Sequence, residues 1–185
     1  MLDRFLKQTG VTSETSAMQE AVKSALQQRK NKVYSRDEVG NERGPFRSEL
    51  HSLMRAAAKR YSHPVSDAEH FEAIGRIAQT LSARYGSILK GGRFRYGTAQ
   101  KAFNLYLKFL WRLRQTSTPP HCPVDGQVLA AAGIEGRWTH SDSQAEYADW
   151  IRILRQRANP LSLSEWEYRL WSPQAAISEK RKGCC

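Results

Sequence analysis

Between Glu72 and Asp125 the chain carries no carboxylate, a run of 52 residues in which an even scatter of its 18 acids would place about five. Cations are not missing from it: Arg76, Arg84, Lys90, Arg93, Arg95, Lys101, Lys108, Arg112 and Arg114 are nearly their even share. Outside the run 20 basic residues face 18 acidic ones, so most of the net charge of +11 belongs to this one segment. Acids are excluded there rather than bases gathered. That predicts a surface turned toward phosphate, with nucleic acid as the polyanion; the plain alternative is a solvated face depleted by chance.

Cysteine is scarce too. Cys122 stands alone and Cys184 and Cys185 are adjacent, an odd set that builds no disulfide framework and points to a reducing, cytoplasmic compartment. Long apolar runs are lacking: the most apolar stretch, residues 102–111, has Lys108 inside it and is half the roughly 20 residues a bilayer requires, so no membrane partner is expected. Residues 1–7, MLDRFLK, have no apolar segment of a secretory signal. His121-Cys122 lacks companions at metal-ligand spacing, and His51, His63 and His70 fall in different elements, so neither a metal nor a cofactor is expected. Alternating β-branched residues around tight turns are absent as well. One compact all-α domain in a monomeric chain of 185 residues is the expectation.

The periodicity present is helical. A first helix is predicted from Ser16, with Gln19 completing a capping box, to about Lys30, followed by a polar connector over residues 31–44. Pro45 opens a second helix as its first residue, and that helix ends before His63-Pro64. Ser66 and Glu69 form the capping box of a third, which Gly86 stops. A glycine-rich basic turn, Lys90-Gly91-Gly92-Arg93-Phe94-Arg95-Tyr96-Gly97, leads into the most apolar helix, from Thr98 to about Arg114, which must be central. Asp125 caps a short helix stopped by Gly133, Ser141 or Ser143 starts the next, and a last helix carries Trp166, Leu170 and Trp171. The chain divides into an N-terminal helical segment and connector (1–44), a core (45–176) and a basic tail (177–185).

The basic turn presents the start of a helix, where orphan N–H groups and the helix dipole attract an oxyanion. Lys90, Gly91, Gly92, Arg93, Arg95, Gly97 and Thr98 are its candidate phosphate contacts, with Lys108 further along the same helix. Lys101, in the first turn of that helix, has the surroundings of a nucleophilic amine, and Asp125 is the first acid after Glu72. On spacing alone, a solvated first-turn lysine and a plain N-cap are the favoured explanation of the two.

Gly97-Thr98-Ala99-Gln100-Lys101, followed 24 residues later by Pro123-Val124-Asp125-Gly126-Gln127-Val128, resembles the signature of the helix-hairpin-helix DNA glycosylases. Ala99 stands at the second hairpin glycine of that signature, and Arg95-Tyr96 where leucine-proline is usual. The four-cysteine iron–sulfur loop of some relatives is absent. The resemblance implies a helix-hairpin-helix fold, DNA as partner, Lys101 as the Schiff-base lysine of bifunctional members such as the 8-oxoguanine glycosylases, and Asp125 as the catalytic aspartate. It implies a flipped base as substrate, damaged in host DNA or modified in phage DNA, with Trp138 and His140 as pocket candidates. Lys108, two turns along the same stripe, is the competing nucleophile. A non-catalytic DNA- or RNA-binding module, and a helical interaction protein whose charge serves solubility, are the alternatives.

Overall fold

A computed structural model of the chain describes residues 3–27, 33–35 and 40–171. Among these the architecture is all-α: α1 (Arg4–Thr9), α2 (Glu14–Leu26), α3 (Gly40–Ala58), α4 (Asp67–Tyr85), α5 (Tyr96–Arg112), α6 (Gly126–Ala131), α7 (Gln144–Ala158) and α8 (Leu163–Leu170). An isolated bridge between Tyr34 and Leu89 is the sole β pairing of the described residues. No described helix is long and apolar enough to cross a membrane.

α5 is the axis of the molecule. Its residues from Tyr96 to Leu110 are all buried, and α2, α3 and α4 pack against it. The N-terminal segment is part of the same core, through Leu6, Met18, Ala21 and Val22, and does not stand apart from it. α1 is an element the sequence reading lacks; Asp3 caps it and Gly10, at φ 69°, ends it. Its Phe5 ring stacks on Phe109 of α5 with centroids 5.2 Å apart.

Several expected boundaries are corrected. The first capping box pairs Ser13 with Ser16, so α2 starts at Glu14 and ends at Leu26; residues 28–32, including the expected end at Lys30, lie outside the described residues. Residues 40–44 are helical, not a connector, and Pro45 sits inside α3; the i→i−4 bond it forgoes would fall on Asn41, which water reaches. α4 ends at Gly86 as expected, but not by a left-handed turn: Gly86 is right-handed, and a β-carbon there would sit 2.9 Å from the Gly92 carbonyl oxygen. Ser143 is the cap of α7, and the Ser162–Glu165 capping box starts α8. The tail from residue 177 lies outside the described residues.

Where α4, α5 and α7 meet, a chain of buried polar groups is satisfied in one direction. Tyr61 O–H donates to His70 Nδ1 (2.6 Å), and His70 Nε2–H to Asn104 Oδ1 (2.8 Å). Asn104 Nδ2 donates to the Tyr147 hydroxyl (2.9 Å), which donates to His121 Nδ1 (3.1 Å). His121 Nε2–H ends the chain on Asp67 Oδ1 (3.3 Å), a carboxylate also held by Arg155. The carbonyl acceptor on Asn104 places a proton on His70 Nε2.

Burial holds His70 well below the usual histidine value and His121 below it. Both therefore remain neutral in the fold at a pH where the unfolded chain takes up protons. The unfolded state binds more protons below about pH 6.5, so stability is complete above that value and is lost as the pH falls through it. Two such groups steepen the loss to as much as about 2.7 kcal/mol per pH unit. Urea unfolding at a series of pH values from 7.5 to 5 checks this; a flat profile would mean that the histidines are reached by water.

Candidate active site

The polar stripe of α5 expected to face phosphate faces acids of the same molecule instead. Lys101 meets Asp125, Lys108 meets Glu167 of α8, and Arg112 meets Asp3. Elsewhere in the acid-free run Arg84 pairs with Glu49, Arg76 with Glu72, and Arg93 and Arg95 with Asp142. Seven cations of the nine are thus answered by carboxylates from outside the run; Lys90 and Arg114 make no ion pair among the described residues. On α5 itself the counter-charges to Lys101, Lys108 and Arg112 arrive from the surrounding elements. This corrects the reading of the whole run as a phosphate-facing surface.

Lys101 and Asp125 are brought together. Lys101 Nζ lies 2.5 Å from Asp125 Oδ2. The other carboxylate oxygen, Oδ1, accepts from the N–H groups of Gln127 (3.0 Å) and Val128 (3.1 Å), so Asp125 is at once the cap of α6 and the partner of Lys101. α5 begins at Tyr96, which puts Lys101 in its second turn rather than its first. The side chains of the pair are 11% and 17% exposed, a narrow opening to solvent.

Lys108 and Glu167 form a second lysine–carboxylate pair on the same helix, and it is closed. Its side chains are 4% and 3% exposed, Nζ lies 2.8 Å from Oε1 and 2.7 Å from Oε2, and the Phe5 ring covers the ammonium at 4.3 Å. Burial drives Lys108 below the ordinary lysine value and Glu167 above the ordinary carboxyl value, each opposed by its partner. So placed, Lys108 does not meet a phosphate. Burial likewise pushes the Cys122 thiol far up, which removes it as a nucleophile.

The glycine-rich turn divides in two. Lys90, Gly91, Gly92 and Arg93 are exposed, with Gly91 and Gly92 at φ 71° and 72°, the left-handed region that favours glycine. Gly97 and Thr98 are buried under the loop after α6. The Gly97 N–H donates to the Ser141 carbonyl (2.9 Å), and a β-carbon on Gly97 would fall 1.7 Å from the Trp138 carbonyl oxygen. Glycine is required there for close packing, and the first amides of α5 are not open to a phosphate. Arg95 donates to the His140 carbonyl (3.2 Å) and to Asp142 (2.5 Å). Trp138 and His140 thus belong to the loop that covers the start of α5, Trp138 half-buried and His140 exposed.

Chemically, an amine and a carboxylate in contact, reachable from solvent and anchored by a central helix and a helix cap, can carry out proton exchange and nucleophilic attack on an electrophilic carbon. Among the described residues no three metal-ligating side chains are grouped to hold a metal ion. Comparison of the chain with family models, with curated proteins and with solved structures finds no match.

Proposed function

We propose that this protein is a DNA glycosylase with AP-lyase activity, in which Lys101 is the nucleophile and Asp125 its acid–base partner. The observation that carries the reading is the 2.5 Å contact between two groups 24 residues apart, whose side chains keep 11% and 17% exposure where those of the Lys108–Glu167 pair keep 4% and 3%. The exposed basic turn between α4 and α5 serves as the hairpin, Lys90 and Arg93 gripping the backbone on either side of its two glycines.

In this mechanism the target base is flipped out of the duplex. Asp125 takes a proton from the Lys101 ammonium, and the freed lone pair attacks the sugar C1′. The C1′–N bond breaks, its electron pair leaving with the base, which is protonated. Asp125 passes the proton it took to the departing base and, ionised again, offsets the positive charge that develops on the sugar. Opening of the sugar ring gives a Schiff base to Lys101, loss of a C2′ proton breaks the 3′ C–O bond, and hydrolysis releases the enzyme. Incubation with duplexes carrying a panel of modified bases and an abasic site tests this. Nicking at the lesion is the expected result.

A second reading, a DNA- or RNA-binding helical module without chemistry, is favoured by the cap geometry, since Asp125 already has a structural role for each of its oxygens. Asp125→Asn separates the two. Asparagine caps a helix about as well, so DNA affinity and folding are kept, while loss of the acid–base group lowers turnover about a hundredfold or more. Unfolding with no specific loss of turnover would leave Asp125 as a cap alone.

A further inference from the structure

Gln100, the residue before Lys101, is fully buried, and its side-chain amide engages both polar groups of one residue in the loop opposite. Nε2 donates to the Val124 carbonyl at 2.6 Å, and Oε1 accepts from the Val124 N–H at 3.1 Å. Val124 directly precedes Asp125. One turn along α5, Asn104 Nδ2 donates to the Cys122 carbonyl at 3.0 Å. No backbone–backbone hydrogen bond engages Cys122, Pro123 or Val124 among the described residues, so these side-chain bonds hold the segment that ends in Asp125. The helix that carries the amine also holds the backbone that aims the carboxylate.

We infer that Gln100 is a positioning residue that sets how Asp125 meets Lys101, an inference that rests on the glycosylase reading of that pair. Glutamine is suited to the task because it offers a donor and an acceptor at the same reach. Methionine has the length and neither group. Glutamate reproduces both only when protonated, and when ionised it sets an oxygen against the Val124 carbonyl.

The test is single-turnover formation of the borohydride-trapped adduct on an abasic duplex, read as a rate constant and an amplitude. Misplacing a reacting group by about 1 Å costs on the order of a hundredfold, so Gln100→Met is expected to lower the rate constant by that factor at full amplitude and unchanged DNA affinity. A merely structural role would lower the amplitude, through fewer folded molecules, and spare the rate. Adduct formation by Gln100→Met at the wild-type rate overturns the inference.

Should Gln100→Met fail to fold, Gln100→Glu carries the test. Its rate relative to wild type is expected to rise as the pH is lowered and the new carboxyl is protonated; a ratio that does not change with pH overturns the inference. The titratable groups beside that position are Lys101, its chain neighbour, and Asp125, which follows Val124, with Tyr147 of α7 and His70 of α4 reached through Asn104, whose Nδ2 also donates to Gln100 Oε1 at 3.2 Å. They are present in both proteins, so a pH dependence of the ratio arises from the carboxyl that Gln100→Glu adds and its effect on them. A wild-type protein that forms no adduct overturns the glycosylase reading and this inference together, whereas a normal Gln100→Met rate beside an active wild type overturns this inference alone.

Discussion

Lys101→Gln is expected to abolish strand cleavage at abasic sites and every borohydride-trapped adduct, lowering turnover by about four orders of magnitude or more, while the protein stays folded. Lys108, the other lysine of α5, is sealed against Glu167 and Phe5 and does not replace it. The stability cost is bounded by the loss of one hydrogen bond to a charged group, about 1.5–3 kcal/mol. Asp125 keeps the N–H groups of Gln127 and Val128, and the glutamine amide can still donate to it. A thermal melt by circular dichroism alongside the cleavage assay separates the two effects. Cleavage retained by Lys101→Gln would remove Lys101 from the mechanism.

Lys108→Met is expected to act in the opposite way, costing about 3–5 kcal/mol of stability while each folded molecule keeps its wild-type rate of adduct formation. The reason lies in what is left behind: Glu167, 3% exposed, would be a buried carboxylate without its cation. The double variant Lys108→Met/Glu167→Leu is expected to recover most of the loss, because a well-packed apolar pair is about as good as a buried ion pair. Urea unfolding of the two single variants and the double measures the cycle. A single-variant cost below about 1 kcal/mol would mean that water reaches the pair, since exposed pairs are worth no more than that.

The helical frame was legible where local chemistry decides it. The Ser66–Glu69 box starts α4, Asp125 caps α6, Gly133 at φ 69° ends that helix, and the largely apolar sequence of α5 marks the central element. What was not legible depends on partners far along the chain. The Asp3 and Gly10 signals that bound α1 were in view, but six residues show too little period to read as a helix. Nothing in the spacing of Lys101, Lys108 and Arg112 tells that Asp125, Glu167 and Asp3 answer them, because those acids come from the cap of α6, from α8 and from the N-terminal end of the described residues. The proximity of Lys101 and Asp125 was expected from a resemblance, not from periodicity. The burial of Gly97 was missed for the same long-range reason: a glycine before a helix reads as an anion cradle until the Trp138 carbonyl is seen lying over it. The polar chain from Tyr61 to Asp67 joins five elements and has no sequence signature. Of its tyrosines and histidines, His70 and Tyr147 are polar residues on otherwise apolar helix faces, while Tyr61 and His121 lie between the α-helices.

The measurement that bears most directly on this account is the site of covalent attachment: borohydride reduction of the wild-type protein on an abasic duplex, digestion, and mass spectrometry of the nucleotide-bearing peptide. The adduct is predicted on Lys101, in the peptide that contains Gln100 and Ala102, and it is predicted to be absent from Lys101→Gln. An adduct on Lys108 or on a lysine outside α5, or no adduct from a protein that binds the same duplex, would contradict it.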